Sequence, residues 1–215
     1  MRHLGTLRAG LALALLLSGG SAVCLRAQDK TSAEYRNQYL KDFQRIGLNT
    51  TPGDAMMLRI LVAAREAKRG VEVGTATGFG ALNMGIAFER TGGHLYTLDI
   101  NPKMVEATRE HLRNLGLDKT VTVVEGDALK TLRELDGEFD FAFLDAVKGD
   151  YMEYLKILEP KLKPGAIVVG DNVIKSARAM ADFLEYIQTN PDYETVIIRA
   201  SEEKGDGMSI SYKIR

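Results

Sequence analysis

The 215-residue sequence contains no tryptophan and a single cysteine, Cys24. One cysteine cannot form a disulfide within the chain, and Cys24 lies in an amino-terminal segment that we expect to be removed. The mature chain would then have neither a thiol nucleophile nor a thiolate metal site. An excess of basic residues is also lacking, since the formal net charge is −1. This charge is a poor match for nucleic-acid binding.

The first 27 residues have the pattern of a signal peptide. Basic residues Arg2 and Arg8 precede an apolar run over residues 9–17, and small residues lead to candidate cleavage sites after Ala22 or Ala27. The run is too short to span a hydrocarbon core about 30 Å thick. We therefore expect an exported protein, periplasmic or secreted, with no stable membrane insertion after cleavage. A membrane-anchored or cytoplasmic protein is the alternative.

Downstream of this segment, short apolar runs alternate with amphipathic segments. The alternation predicts β-α units and a mostly parallel sheet in one domain over residues 28–215. Two late strands with no helix between them predict an antiparallel hairpin at one edge. Helices are predicted over 31–46, 51–68 and from Pro102, which has Asn101 as N-cap and Gly116 just past its end. Predicted strands cover 70–73, 94–98, 121–124, 139–144, 166–169, 195–198 and 209–214.

The amino-terminal region, residues 28–50, contains the first of these helices. Its aromatic residues Tyr35, Tyr39 and Phe43 recur at helical spacing. Such a stripe indicates packing against a core or, alternatively, a lid over a pocket.

A glycine-rich turn follows the first predicted strand. Gly74, Gly78 and Gly80 have the spacing G-x-x-x-G-x-G, which differs from the G-x-G-x-x-G that places a dinucleotide pyrophosphate at a helix N-terminus. The spacing favours a ligand without phosphate, because glycines allow close backbone approach and Glu72 ahead of them supplies an acceptor. A tight strand-to-helix turn without a ligand is the alternative.

Acidic residues follow several predicted strands, at the edge where open parallel sheets bind ligands. Asp99 ends the second strand and could reach a ribose hydroxyl pair, or its charge could favour the N-terminus of the next helix. Asp127 follows the third strand and could accept a hydrogen bond from an adenine amino group, or could cap a helix.

The fourth predicted strand ends at Asp145 and the fifth at Asp171 and Asn172. If these strands are neighbours, two carboxylates and an amide oxygen converge. Three oxygen ligands without His or Cys suit Mg²⁺, with Mn²⁺ or Ca²⁺ as alternatives, and disfavour zinc. Two unrelated strand-end turns would give the same pattern.

Five sequence segments together resemble the metal-dependent class I O-methyltransferases, the family of catechol and caffeoyl-CoA O-methyltransferases. The resemblance covers residues 51–215 and implies a Rossmann-like, doubly wound sheet of seven strands. It also implies S-adenosylmethionine (SAM) as methyl donor, a divalent cation that chelates a vicinal diol, and a homodimer. The segments, in order, are VEVGTATGFGALNMGIA, LYTLDINP, VEGDALKTL, FDFAFLDAVKGDY and GDNV.

The resemblance also implies roles for individual residues. It makes Asp145, Asp171 and Asn172 the metal ligands, and Lys148 the candidate base beside Asp145. Without it, Lys148 could be a surface lysine paired with Asp145 or Asp150. The residues expected to bind the cofactor are Thr51, Glu72, Gly74, Thr75, Gly80, Asp99, Asp127 and Ala128.

The implied chemistry is consistent with these residue types. A phenol, with a pKa of about 10, is mostly neutral at pH 7 and a poor nucleophile. Binding to a divalent cation makes its hydroxyl ionise more readily and fixes its orientation. We therefore predict a SAM-dependent O-methyltransferase for a small aromatic diol, with Lys148 taking the proton.

Two alternatives remain open. One is a class I methyltransferase with a non-aromatic acceptor, and the other is a non-catalytic exported binding protein on the same scaffold. Val147 replaces the aromatic wall of the catechol enzyme, and tryptophan is absent. These two departures predict an open or differently shaped acceptor pocket.

Overall fold

The predicted strands form one seven-stranded sheet in the order β3-β2-β1-β4-β5-β7-β6. A computed structural model describes residues 29–215, so the predicted signal peptide lies outside the described residues. The elements are α1 (Ala33–Asp42), α2 (Pro52–Ala64), β1 (Arg69–Val73), α3 (Phe79–Thr91), β2 (His94–Asp99), α4 (Pro102–Asn114), β3 (Val121–Glu125), α5 (Ala128–Glu134), β4 (Phe139–Leu144), α6 (Tyr151–Leu158), β5 (Leu162–Gly170), α7 (Ala181–Thr189), β6 (Tyr193–Ser201) and β7 (Asp206–Lys213). Short 3₁₀ turns cover Lys148–Asp150, Glu159–Lys161 and Ala177–Met180.

The sheet is mixed, as predicted. Strands β1 to β5 pair in parallel, whereas β7 pairs antiparallel with both β5 and β6. The predicted mostly parallel sheet with an antiparallel edge hairpin is thus confirmed. The strand order reverses between β1 and β4, and open α/β sheets bind ligands outside the carboxyl ends of strands at such a point.

The first two helices end earlier than the sequence predicts. Helix α1 stops at Asp42 because Phe43 has extended backbone (φ −61°, ψ 125°), and its ring packs 5.2 Å from that of Phe79. Helix α2 stops at Ala64, and Glu66 follows in the left-handed region (φ 53°). Both predicted helices therefore ran about four residues too far, since tertiary contacts and a reversed backbone end them.

The predicted limits of α4 are confirmed. The Asn101 side chain accepts a hydrogen bond from the Lys103 amide, and Pro102 is the first helical residue. Gly116 follows the helix with φ 63°, a conformation that glycine adopts without steric cost.

Apolar side chains cover both faces of the sheet. Strand β4 is buried along its whole length, with Phe139 in the cluster on one face and Phe141 in the cluster on the other. A central strand buried on both faces is typical of a doubly wound sheet. None of the helices within residues 29–215 is long and apolar enough to cross a membrane.

Helix α1 is packed against the domain. Tyr35, Tyr39 and Phe43 contact the second apolar cluster, and the buried Arg36 guanidinium donates to the Leu115 carbonyl oxygen at 2.9 Å and pairs with Glu89. The aromatic stripe is therefore a packing surface. The segment after this helix, Gly47 and Leu48, approaches the cavity described below.

Candidate active site

A cavity of about 590 Å³ lies at the carboxyl ends of the parallel strands. Its volume is in the usual range for small-molecule sites. Among the residues that we predicted from sequence, six line it: Gly74, Asp99, Asp127, Ala128, Asp145 and Asn172. The lining does not include the other six predicted residues, which are Thr51, Glu72, Thr75, Gly80, Lys148 and Asp171.

Two carboxylates mark the end of the cavity near β2 and β3. Asp99 Oδ2 accepts from the Ala76 amide at 3.0 Å, and Oδ1 accepts from the Asn101 amide at 2.9 Å. Asp127 is the N-cap of α5 and accepts from the Leu129 amide. The helix-cap interpretation of Asp127 is therefore correct, and its place in the cavity wall leaves the predicted cofactor contact open.

The glycines of the turn after β1 are explained by packing. Gly74 has φ 95°, and a Cβ there would lie 2.3 Å from the Asp145 carbonyl oxygen. A Cβ on Gly80 would lie 2.6 Å from Glu72 Oε1. A side chain at position 74 would collide with the backbone, and one at position 80 would have to displace the buried Glu72 carboxyl. Packing alone would require these glycines even if no ligand were bound. The evidence for a ligand therefore comes from the cavity and not from the turn.

Glu72 is a buried carboxyl beneath this turn. The Thr97 hydroxyl donates to it, and burial, with a smaller contribution from the nearby Asp145 charge, raises the pKa of Glu72 to about 8. A carboxyl with such a pKa is mostly protonated at pH 7.

Several buried polar atoms around Glu72 and α2 have no hydrogen-bond partner within the described chain. They are Asn49 Nδ2, Thr50 Oγ, Asp54 Oδ1 and Thr75 Oγ. The predicted cofactor residue Thr51 is the N-cap of α2, where its hydroxyl contacts Asp54, and its contact with a cofactor stays a prediction. Because buried polar groups are normally satisfied, such a group of atoms favours a polar ligand nearby.

The two predicted carboxylate ligands follow paired positions on neighbouring strands. Leu144 of β4 is in register with Gly170 of β5, and the Asp171 amide donates to the Leu144 carbonyl oxygen at 3.0 Å. Burial and the charge of Asp145 raise the pKa of Asp171 to about 7. The structure therefore brings Asp145 and Asp171 together, with Asn172 beside them in the cavity wall.

This donor set fits a hard divalent cation. Asp171 Oδ2 is buried and has no hydrogen-bond partner in residues 29–215, and burial raises the pKa of Asp145 in spite of its contact with Lys148. A bound cation would relieve both costs. Across the same described part of the chain, no cluster of three His, Cys, Asp or Glu residues could hold a metal, so the set needs the Asn172 amide oxygen.

Lys148 connects the two carboxylate segments. Its Nζ lies 2.8 Å from Asp145 Oδ1 and 2.8 Å from the Tyr151 hydroxyl, and that hydroxyl donates to the Asp171 carbonyl oxygen at 3.1 Å. The alternative pairing of Lys148 with Asp145 is the arrangement observed. Sequence reasoning missed Tyr151, although its position three residues after Lys148 was a usable signal.

Residues that the sequence did not single out complete the cavity wall. Leu48 and Ile100 contribute apolar surface near the opening, and Lys204 enters from the turn between β6 and β7. Val147, which the sequence did single out, also lines the cavity and is 61% exposed. No local motif could place the Lys204 side chain here, because its Nζ is held by the carbonyl oxygen of Asn49, which is far away in the sequence.

Comparison with known proteins shows similarity to methyltransferases. A "Catechol O-methyltransferase" of Mycobacterium tuberculosis is 30% identical over 183 residues, which are 79% of this chain and 82% of that protein. "O-methyltransferase ankF" of Aspergillus thermomutatus is 33% identical over 135 residues, 61% of this chain and 56% of that protein. A "Catechol O-methyltransferase" of Niastella koreensis is 30% identical over 62% of each chain. The alignments thus span less than two thirds of the latter two relatives.

Solved structures show the same fold. The O-methyltransferase TomG from Streptomyces achromogenes, in complex with SAM, superposes with a TM-score of 0.75 at 24% identity, over 91% of this chain and 94% of that one. An O-methyltransferase from Bacillus cereus in complex with SAH gives 0.74 at 22% identity, over 89% and 93%. The family model described as "O-methyltransferase" matches residues 27–191. By this match, which covers most of its length, the chain belongs to the O-methyltransferase family.

Proposed function

We propose that the protein transfers a methyl group from SAM to a hydroxyl of a small aromatic diol, with the help of a divalent cation. The observation that carries this proposal is the pairing of Asp145 and Asp171 at the ends of adjacent strands, beside one cavity that also reaches Asp99 and Asp127. Relatives named catechol O-methyltransferase support the acceptor class.

The two ends of the cavity suit the two substrates. Asp99 and Asp127 offer carboxylate oxygens to hydroxyl and amino groups of a nucleoside, as the adenosyl half of SAM requires. Asp145, Asp171 and Asn172 would hold the cation, and Mg²⁺ suits their oxygen atoms. Bound SAM supplies an electrophilic methyl group, and a bound cation lowers the pKa of a chelated hydroxyl.

The protein's own residues would orient the acceptor and take its proton. Lys148 Nζ is held by Tyr151 and by Asp145, a residue of the cavity wall. This position lets Nζ exchange a proton with a hydroxyl held near Asp145. The apolar side chains of Leu48 and Val147 offer surface to an aromatic ring.

The proposal is tested by methyl transfer to catechol with SAM and Mg²⁺. We expect turnover that EDTA abolishes, that added Mg²⁺ restores, and that Asp145→Ala removes. Asp118→Ala is the matched control, because Asp118 is exposed and lies just before β3 at the opposite edge of the sheet. This variant should keep full activity.

Other outcomes would contradict the proposal in different ways. Turnover that survives EDTA and Asp145→Ala would exclude cation assistance. If calorimetry detected no binding of S-adenosylhomocysteine with or without Mg²⁺, the methyltransferase activity itself would be excluded.

A further inference from the structure

Lys204, a cationic side chain in the wall of the cavity, forms no ion pair within residues 29–215. Its Nζ donates to the Asn49 carbonyl oxygen at 2.8 Å. An ammonium has three donors. One carbonyl therefore leaves it both charge and hydrogen-bonding capacity for a ligand.

The acidic neighbours of Lys204 in the same turn are engaged elsewhere or face solvent. Glu203 pairs with Arg45, which lies 3.1 Å from both of its carboxylate oxygens. Asp206 Oδ1 accepts from the amides of Ile174, Lys175 and Gly207, and Glu202 is exposed. None of these three carboxylates neutralises the Lys204 ammonium.

Lys204 lines the same cavity as the predicted metal ligands Asp145 and Asn172. Its charge also acts on Asp145, whose pKa it lowers and burial raises. Lys148 is nevertheless the ion-pair partner of Asp145, at 2.8 Å. Neutralising Asp145 is therefore not a sufficient reason for a second lysine at this place.

The surface beside Lys204 is apolar. Leu48 precedes Asn49, the residue whose carbonyl holds the lysine, and it is 70% exposed while lining the cavity. Val147 lies in the same cavity wall. An aromatic ring with an anionic substituent matches this combination of apolar contacts and one positive charge.

We propose that Lys204 recognises a carboxylate on the acceptor, so that the preferred substrates are aromatic diols that carry an acidic group. This inference rests on the proposed methyl transfer to a diol and specifies its substrate class. The reaction that supplies the substrate would accordingly form or release a dihydroxylated aromatic acid.

The test compares protocatechuate, a dihydroxybenzoate, with its uncharged methyl ester, using kcat and KM for each acceptor and for SAM. For Lys204→Met we expect KM for the acid to rise about tenfold, the loss expected for one hydrogen bond to a charged group. KM for the ester should stay as in the wild type. Lys204→Arg should keep the preference for the acid.

Two further variants separate charge from folding. Lys204→Gln keeps a donor for the Asn49 carbonyl oxygen but removes the charge, so it should lose the preference for the acid and still melt like the wild type. Lys119→Met removes the same charge from an exposed side chain before β3. It should change neither KM value.

Three results would overturn the inference. An unchanged ratio of acid to ester turnover in Lys204→Met would show that Lys204 does not read the carboxylate. A raised KM for SAM with an unchanged acceptor ratio would assign Lys204 to the carboxylate of the cofactor. Failure of the wild type to methylate either acceptor while it methylates catechol would refute this inference alone, whereas failure with catechol as well would refute the proposed function too.

Discussion

Strand β4 has a buried carboxylate near each end, and the two differ in what surrounds them. At the amino end, Asp140 accepts from the Lys68 and Arg69 amides, all at 3.0 Å. At the carboxyl end, Asp145 accepts a hydrogen bond from Lys148. One carboxylate oxygen of the neighbouring Asp171 has no hydrogen-bond partner within residues 29–215. Both carboxylates are poorly exposed, with Asp140 at 4% and the Asp145 side chain at 9%. The difference in hydrogen-bond partners therefore distinguishes a structural carboxylate from a candidate ligand.

The largest expected effect is on catalysis. Asp171→Ala should lower kcat/KM for catechol by about three orders of magnitude, because a lost cation ligand removes several kcal/mol of charge stabilisation. Urea denaturation at pH 8 should show no loss of stability, since the ionised Asp171 side chain is unfavourably buried there. If Asp171→Ala unfolded more easily but kept its activity, Asp171 would be a structural carboxylate and not a candidate ligand.

The next effect concerns Glu72, whose folded-state pKa of about 8 exceeds its ordinary value of 4.5. The folded protein keeps this proton where the unfolded chain has lost it, so Glu72 makes the protein less stable as pH rises from about 5 to 8. Glu72→Gln does not titrate. As pH rises from about 5 to 8 without cofactor or metal, the wild type should lose stability that the variant keeps. The difference in free energy of unfolding between the two proteins should change by about 3 kcal/mol in favour of the variant.

Urea denaturation of both proteins at the two pH values, with EDTA present, measures this difference. Other groups, including Asp171, titrate in both proteins and cancel in the comparison. Parallel stability curves for the wild type and Glu72→Gln would show that Glu72 keeps an ordinary pKa in the folded state.

A smaller effect is expected at the amino end of β4. Asp140→Ala leaves two backbone amides without their acceptor, at a cost of about 2 kcal/mol in the free energy of unfolding. Activity per folded molecule should not change, because Asp140 lies at the edge opposite the cavity. Denaturant titration and catechol turnover check the two parts, with Asp118→Ala as the exposed control.

The smallest effect is stabilisation by the cation alone. At a Mg²⁺ concentration ten times its Kd, the protein should gain about 1.4 kcal/mol. This gain should be seen as a higher melting temperature that EDTA reverses. In Asp171→Asn the gain should disappear, whereas Asp140→Asn should retain it; equal gains in both variants would place the cation elsewhere.

The sheet could be predicted from the sequence because β4 and its neighbours are short apolar runs that end in polar residues. It also predicted the limits of α4, where local cap chemistry at Asn101 and Gly116 decides the helix ends. The limits of α1 and α2 could not be predicted in this way. Phe43 leaves the helix to reach Phe79, a contact between residues distant in sequence.

The residues of the candidate site also fall into two groups, those that a local sequence pattern predicts and those that depend on contacts distant in sequence. Asp145, Asp171 and Asn172 could be proposed because each follows a recognisable strand. The strand-end pattern could not show that burial and mutual repulsion raise the pKa of Asp171, or that Tyr151 connects Lys148 to that segment. Lys204 depends on a turn whose position only the folded hairpin determines.

The central claim is that Asp145, Asp171 and Asn172 share one cation beside the cofactor. The most direct measurement is a crystal structure of the protein with Mn²⁺ and S-adenosylhomocysteine, in which anomalous scattering locates the metal. We predict one peak in contact with side-chain oxygens of all three residues and next to the bound cofactor product. A peak at another place, or no peak at a saturating Mn²⁺ concentration, would contradict the claim.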